Sequence, residues 1–146
     1  MKRVLILVFI LLTGACLLGC ASGAKFTEVQ PKMAAETPGM SRIFFYRTSV
    51  LGAALQPDIL LNDYRVGKAV AQGFFYVDRS PGNYVVATST EVERKLSFTL
   101  EEGQTRYVRF SVGVGFFVGH VYGELVDNSV AVEEIKDCKY IGDKKD

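Results

Sequence analysis

Hydrophobic and polar positions divide the chain into stretches with different periods. Val4 to Leu12 is an unbroken apolar run of nine residues. Residues 21–40 show neither alternation nor a helical stripe and are rich in small, polar and proline residues, which predicts a tether. From Arg42 onward apolar residues come in short runs separated by turn signals. Arg42 to Thr48 (RIFFYRT) predicts one strand. Ile59 to Leu61 predicts another, closed by the turn pair Asn62-Asp63 and followed by a short return strand to Gly67. Phe74 to Asp78 and Tyr84 to Thr90 predict two more strands, joined by the turn Ser80-Pro81-Gly82-Asn83. Leu96, Phe98 and Leu100 alternate with polar residues, and so do Val108, Phe110 and Val112, which is the period of a strand with one buried face. With the polar loop Glu101-Glu102-Gly103-Gln104 between them, these two runs predict a hairpin.

The period changes near the C-terminus. Ser129 is placed to cap a helix from Val130 to about Lys139, with Val132, Ile135 and Cys138 or Lys139 along one face. Lys136 and Lys139 would complement the negative end of its dipole. A last strand is the alternative, because Val130 and Val132 also alternate. Residues 141–146 read as a polar tail. Short strands with Gly and Pro between them predict a mainly β domain over residues 41–140, an antiparallel sandwich of about seven to eight strands with a short C-terminal helix.

The apolar N-terminal run has the flanks of a secretory signal. Lys2 and Arg3 precede it, and small residues lead to Leu17-Leu18-Gly19-Cys20. Leu at −3 and Gly at −1 before a cysteine resembles the lipobox of bacterial lipoproteins. That resemblance implies that the Cys20 thiol takes a diacylglyceryl group, that cleavage follows Gly19, and that the new amine is open to acylation with a chain such as palmitate. Each buried methylene contributes about 0.8 kcal/mol, so two or more chains hold stably. The organisation expected is a signal peptide over residues 1–19, a lipidated cysteine and tether over 20–40 reaching roughly 25 Å, and the domain beyond, with Phe26 and Val29 as tether positions suited to packing on it. Ala21, where an Asp resembles the inner-membrane retention signal of enterobacterial lipoproteins, points to the periplasmic face of the outer membrane. Two other readings compete. Val4 to Ala24 holds no charge over 21 residues, long enough for an uncleaved membrane helix, although its second half is small and polar. Cys16 is a second candidate for lipid, but Thr13 stands at its −3 position.

Four segments then line up with a family. Arg42 to Arg47 (RIFFYR), Leu61 to Gly67 (LNDYRVG), Pro81 to Tyr84 (PGNY) and Gly103 to Arg109 (GQTRYVR) occur in that order. The chain resembles the bacterial family classed as domain of unknown function 2846, found largely among chains read as lipoproteins, over about residues 38–137. The Pro-Gly-Asn-Tyr step is also similar to small transthyretin-like sandwiches, so the fold expected is transthyretin-like or immunoglobulin-like. The resemblance carries over no catalytic residue.

Charge and chemistry narrow the function further. The chain carries 17 basic and 16 acidic side chains, and loss of Lys2 and Arg3 leaves 15 against 16. Neither a nucleic-acid partner nor electrostatic attraction to anionic lipid follows from that balance. His120 is the single histidine and sits among apolar residues without a nucleophile motif, so a structural or surface role is expected. No zinc or EF-hand spacing occurs, and no cofactor or metal is expected. Cys138 is expected to be a buried thiol, with an intermolecular bridge as its functional alternative. The Gly113, Gly115, Gly119 and Gly123 series predicts a strand pair or core-packed loop, with an apolar patch of Phe116, Phe117 and Tyr122 as the sharper reading. Arg47 and Arg109 are expected to be solvated or paired across strands with acids such as Glu91, Glu93 or Glu124. The function expected is a non-enzymatic envelope lipoprotein that binds an envelope protein or serves a structural role. The alternative is a sandwich that binds a glycan, peptide or small molecule in a pocket lined by Tyr46, Tyr107 and Tyr122.

Overall fold

The computed structural model describes residues 20–114 and 119–142; residues 1–19, residues 115–118 and the last four residues of the tail lie outside the described residues, as do the side chains of Glu91, Val92, Glu93 and Val114. Nine strands are described: β1 (Ser41–Arg47), β2 (Asp58–Leu61), β3 (Tyr64–Lys68), β4 (Gly73–Arg79), β5 (Gly82–Thr88), β6 (Glu91–Leu100), β7 (Thr105–Val114), β8 (Gly119–Val126) and β9 (Lys139–Tyr140). Two short helices, α1 (Phe26–Val29) and α2 (Asn128–Ile135), accompany them. The strands form a five-stranded sheet, β8-β7-β1-β4-β9, and a four-stranded sheet, β3-β2-β5-β6.

The mainly β sandwich with a C-terminal helix matches the expectation from sequence, but its sheets are not all antiparallel. The four-stranded sheet is antiparallel throughout. In the larger sheet β1 runs parallel to β7 and β4 runs parallel to β9. The predicted hairpin is also absent. Residues 101–104 do turn the chain, with Gly103 at φ 67°, yet β6 pairs with β5 in one sheet while β7 pairs with β1 and β8 in the other. The alternation in these runs reports which face is buried, and both strands bury theirs in the same interior from opposite walls. Phe98 and Leu100 of β6 meet the same core as Val108 and Phe110 of β7. Alternation specifies a face but not a neighbour.

The central position of β1 explains its composition. All seven of its residues are buried. Ile43 and Phe45 point between the sheets, whereas Phe44 and Tyr46 point to the outer face of the larger sheet. A strand covered on both faces reads as a continuous apolar run. On the outer face Phe44 stacks on Tyr107 with ring centroids 4.9 Å apart, and Ala131 and Ile135 of α2 close the layer. The turn between β2 and β3 places Asn62 and Asp63 at φ 50° and 66°, the left-handed pair that a two-residue hairpin requires. Asn62 then holds the next strand, since its Oδ1 accepts the Val85 N–H at 2.8 Å.

The C-terminal helix starts earlier than its apolar spacing suggests. Asp127 occupies the cap position in place of Ser129, and α2 ends at Ile135. Val130 and Val132 lie within it, so the strand alternative over them does not hold; a separate two-residue strand, Lys139 and Tyr140, follows and pairs beside Gly73 and Phe74 of β4. Ile141, expected in the tail, donates its N–H to the Phe74 carbonyl at 2.9 Å.

The largest departure lies in residues 20–40, which are laid along the domain. Ala21 donates to the Ala71 carbonyl at 2.9 Å, Tyr140 donates to Ala24 at 2.8 Å, and Phe26 donates to Cys138 at 2.9 Å. Phe26, 1% exposed, makes edge contacts with Phe44 at 5.8 Å and Phe74 at 5.3 Å. Val29 and Met33 pack on the same cluster, and the Ala34 carbonyl accepts from Arg42 at 3.1 Å. Small residues suit this docking because a Cβ on Gly23 would fall within 2.9 Å of the Tyr140 carbonyl carbon. Residues 21–24 are irregular, with a bend at Gly23, and so form no part of a helix. Among the described residues no helix is long and apolar enough to cross a membrane. Phe26→Ala should lower the free energy of unfolding by about 3 kcal/mol in a urea titration. An unchanged midpoint would mean that the segment is not docked.

Candidate functional site

The strand registers bring the end of β1, the start of β4, the end of β7 and the start of β8 to one end of the sandwich. Cys20, the residue expected to carry lipid, lies at this end. Its backbone bridges Ala71 two residues ahead of β4, and its side chain is partly exposed. Cys20 therefore leaves the domain at a fixed point.

Arg47 organises the same end. It is 1% exposed, and its guanidinium donates to the carbonyls of Leu51 at 2.5 Å, Leu55 at 2.7 Å, Gly52 at 3.0 Å and Ala69 at 3.0 Å. Burial lowers its pKa from the ordinary guanidinium value. The expectation of a solvated or acid-paired Arg47 is thus corrected. Two loops, residues 48–57 and 69–72, run without a ladder partner for these carbonyls, and a planar fork of donors satisfies four of them together.

The other strand arginine behaves as its pattern suggests. Arg109 pairs with Glu124 at 3.2 Å, one of the acids expected, and also with Glu134 of α2 at 2.6 Å. The Tyr46 hydroxyl donates to Glu134 at 2.7 Å. Burial, then this hydrogen bond, raises the Tyr46 phenol well above its ordinary value. Glu134 thereby fastens the helix to the outer face of the sheet. Arg42 makes a two-pronged pair with Asp78 directly across from it, at 2.7 and 2.8 Å, and lies 4.4 Å from the centre of the Tyr76 ring.

The remaining candidates are scattered. Tyr46 and Tyr107 are buried in the layer under α2, while Tyr122 carries Arg94 over its ring at 3.9 Å. The three tyrosines do not line a common pocket. A shallow groove lined by Gly103 to Arg106 and Leu125 to Asn128 lies at the opposite end of the sandwich. His120 is exposed on β8, with Nδ1 3.2 Å from the Thr90 carbonyl oxygen. Among the described residues no three His, Cys, Asp or Glu side chains converge as a metal set. Gly113 and Gly123 fall in the β7–β8 pair, and a Cβ on Gly123 would meet Val108 at 3.0 Å. The phenylalanine part of the proposed apolar patch lies outside the described residues.

Cys138 is buried after α2, with Sγ 3.8 Å from the Arg47 carbonyl oxygen. Burial, with Asp137 and Glu134 adding to it, pushes its thiol up to about 12. Sequence reasoning anticipated the packing of Phe26 and Val29 on the domain but missed the backbone docking of residues 20–26 and the carbonyl cage of Arg47. An arginine directly after the apolar run Ile43 to Tyr46 of the central strand was the available sign of the cage.

These features define a small sandwich whose mixed sheet is covered on its outer face by short helices. Comparison with known proteins gives the lineage: the family model described as "Protein of unknown function (DUF2846)" matches residues 37–121. The chain belongs to that family. It is also similar to an uncharacterized protein of Haemophilus influenzae, 26% identical over 110 residues, which span 75% of this chain and 66% of that protein. The chain thus spans just under two thirds of that relative's length. No solved structure matches the chain.

Arg47→Lys should destabilise the domain by about 3 kcal/mol in chemical denaturation, because a point donor cannot span the buried Ala69 carbonyl and the part-buried Leu51 and Leu55 carbonyls together. A loss within error would show that the cage contributes nothing. Native Cys138 should resist iodoacetamide at about pH 8 and react once the chain is unfolded, as a buried thiol with a raised pKa requires. Its folded pKa lies above the ordinary 9.0, so the stability it contributes is complete below 9.0 and is lost as pH rises through about 12. Urea midpoints should therefore fall over that alkaline window less steeply for Cys138→Ala than for the parent.

Proposed function

We propose that the protein is a lipid-anchored component of a bacterial cell envelope, cut after Gly19, lipidated on Cys20 and held on the periplasmic face of the outer membrane. The observation that carries this reading is the Leu17-Leu18-Gly19-Cys20 motif behind a charged and apolar leader, ending at a cysteine that stands partly exposed at one end of the domain. Ala21 in place of Asp supports the outer rather than the inner membrane.

The domain itself reads as a structural or protein-binding module, not an enzyme. The polar side chains that the sequence offers for chemistry are engaged in holding the fold. Arg47 binds loop carbonyls, Arg109 and Tyr46 bind Glu134, and Arg42 binds Asp78.

Metabolic labelling with a fatty acid should mark the protein, and the mature chain should have the mass of residues 20–146 plus lipid. Cys20→Ser should abolish the label, and globomycin should accumulate the uncleaved form. An unlabelled, water-soluble product from the parent chain would overturn the reading.

A further inference from the structure

We propose that the Cys20 end of the sandwich lies against the bilayer, with Val50 and Leu51 entering the interface between headgroups and acyl chains. This inference rests on the reading that Cys20 carries lipid. Its first support is the absence of slack. Cys20 bridges Ala71, and the next residue donates to the Ala71 carbonyl at 2.9 Å, so the root of the lipid is fixed to the loop between β3 and β4. A freely hinged anchor would let any surface face the membrane, whereas a docked one selects the end it emerges from.

The second support is what else stands at that end. The loop joining β1 to β2 exposes Val50 at 56% and Leu51 at 58%, among the few large apolar side chains that stand out from the described surface. This loop is held in place. Arg47 binds its Leu51, Gly52 and Leu55 carbonyls, and through Ala69 ties it to the same loop on which Cys20 docks. Ser49 Oγ accepts the Leu51 N–H at 3.1 Å, and Leu55 donates to the Gly52 carbonyl at 2.9 Å. An apolar pair on an ordered turn already has the shape in which it would enter a membrane interface.

The third support is charge. Thr48 to Pro57 contains no charged residue, nor does Ala69 to Val77. Asp58, Lys68, Glu91 and Lys139 stand at the strand ends around these loops, and Asp137, paired with Lys25, precedes Lys139. The opposite end carries Glu101, Glu102 and Asp127 in its loops. A bilayer is the occupant that suits an uncharged loop pair beside an acyl anchor, because amphipathic elements sink apolar side chains about 5–10 Å into the headgroup boundary.

Leu51 offers its side chain to solvent and only its backbone to Arg47, so Leu51→Cys leaves the cage intact. The test places an environment-sensitive fluorophore on Leu51→Cys, or on Glu102→Cys at the far end, in the full lipoprotein. The host is vesicles of phosphatidylethanolamine and phosphatidylglycerol, with and without a nitroxide carried on the lipid. Residue 102 lies roughly 30 Å from the membrane-proximal end, the length of a ten-residue strand. The residue 51 label should shift to the blue and lose about half its emission to the nitroxide, as an interfacial position requires. The residue 102 label should do neither.

Equal behaviour of the two labels would overturn the proposal. A residue 51 label shielded from water but unquenched by the lipid-borne nitroxide would also overturn it, and would assign the end to a protein partner. Val50→Cys repeats the measurement should the label at residue 51 disturb the loop. If the purified chain lacks an acyl mass on Cys20 and does not enter the vesicles, the lipidation reading has failed instead.

Discussion

Arg47 carries a positive charge to 1% exposure and meets four backbone carbonyls there. Taking a guanidinium out of water is costly unless its donors are used, and leaving loop carbonyls buried without donors is costly as well. At the end of β1 each deficit offsets the other. The loops that follow β1 and β3 have irregular backbones that the sheets cannot satisfy, and one planar side chain draws them together. The position of the loop after β1, the approach of Ala69 and the seat of Ala71 under Cys20 all depend on this contact.

The rest of the fold is a layered solution to a strand that is apolar on both sides. With Phe45 directed inward and Phe44 outward, β1 must be central and must be covered twice. The smaller sheet supplies one cover. The other is assembled from both ends of the chain, with Phe26 from the N-terminal segment and Ala131, Ile135 and Cys138 from the C-terminal one. Neither α1 nor α2 is long enough to be stable alone. Glu134, engaged by Arg109 and Tyr46, gives the outer layer a polar lock in addition to its apolar contact. The family match over residues 37–121 covers β1 to the start of β8 and stops before this outer cover is complete.

Strand positions were legible because burial on one face imprints a period of two, as in Leu96 to Leu100, and because the Asn62-Asp63 turn has few conformational options. Partners were not legible. The tight turn at Gly103 joins two sheets rather than two neighbours, and the parallel contact of β1 with β7 spans the whole smaller sheet in sequence. The docking of residues 20–34 left no periodic trace, since it uses isolated backbone hydrogen bonds and one phenylalanine. Arg47 was visible as a strand arginine, but its partners are carbonyls, which every residue has and no sequence pattern reveals. The seat of Cys20 beside Ala71 was likewise not legible.

The docking of Ala24 and Phe26 onto Tyr140 and Cys138 joins nearly the first described residues to nearly the last. A chain that is made N-terminus first presents these ends at opposite times. Cys20 and its neighbours emerge at the outset, yet the backbone groups that clamp them arrive only when Lys139 and Tyr140 do. Throughout that interval Phe26 waits without its cover. Completion of the C-terminus then closes the fold, so the beginning of the chain finds its seat only when the end of the chain is in place.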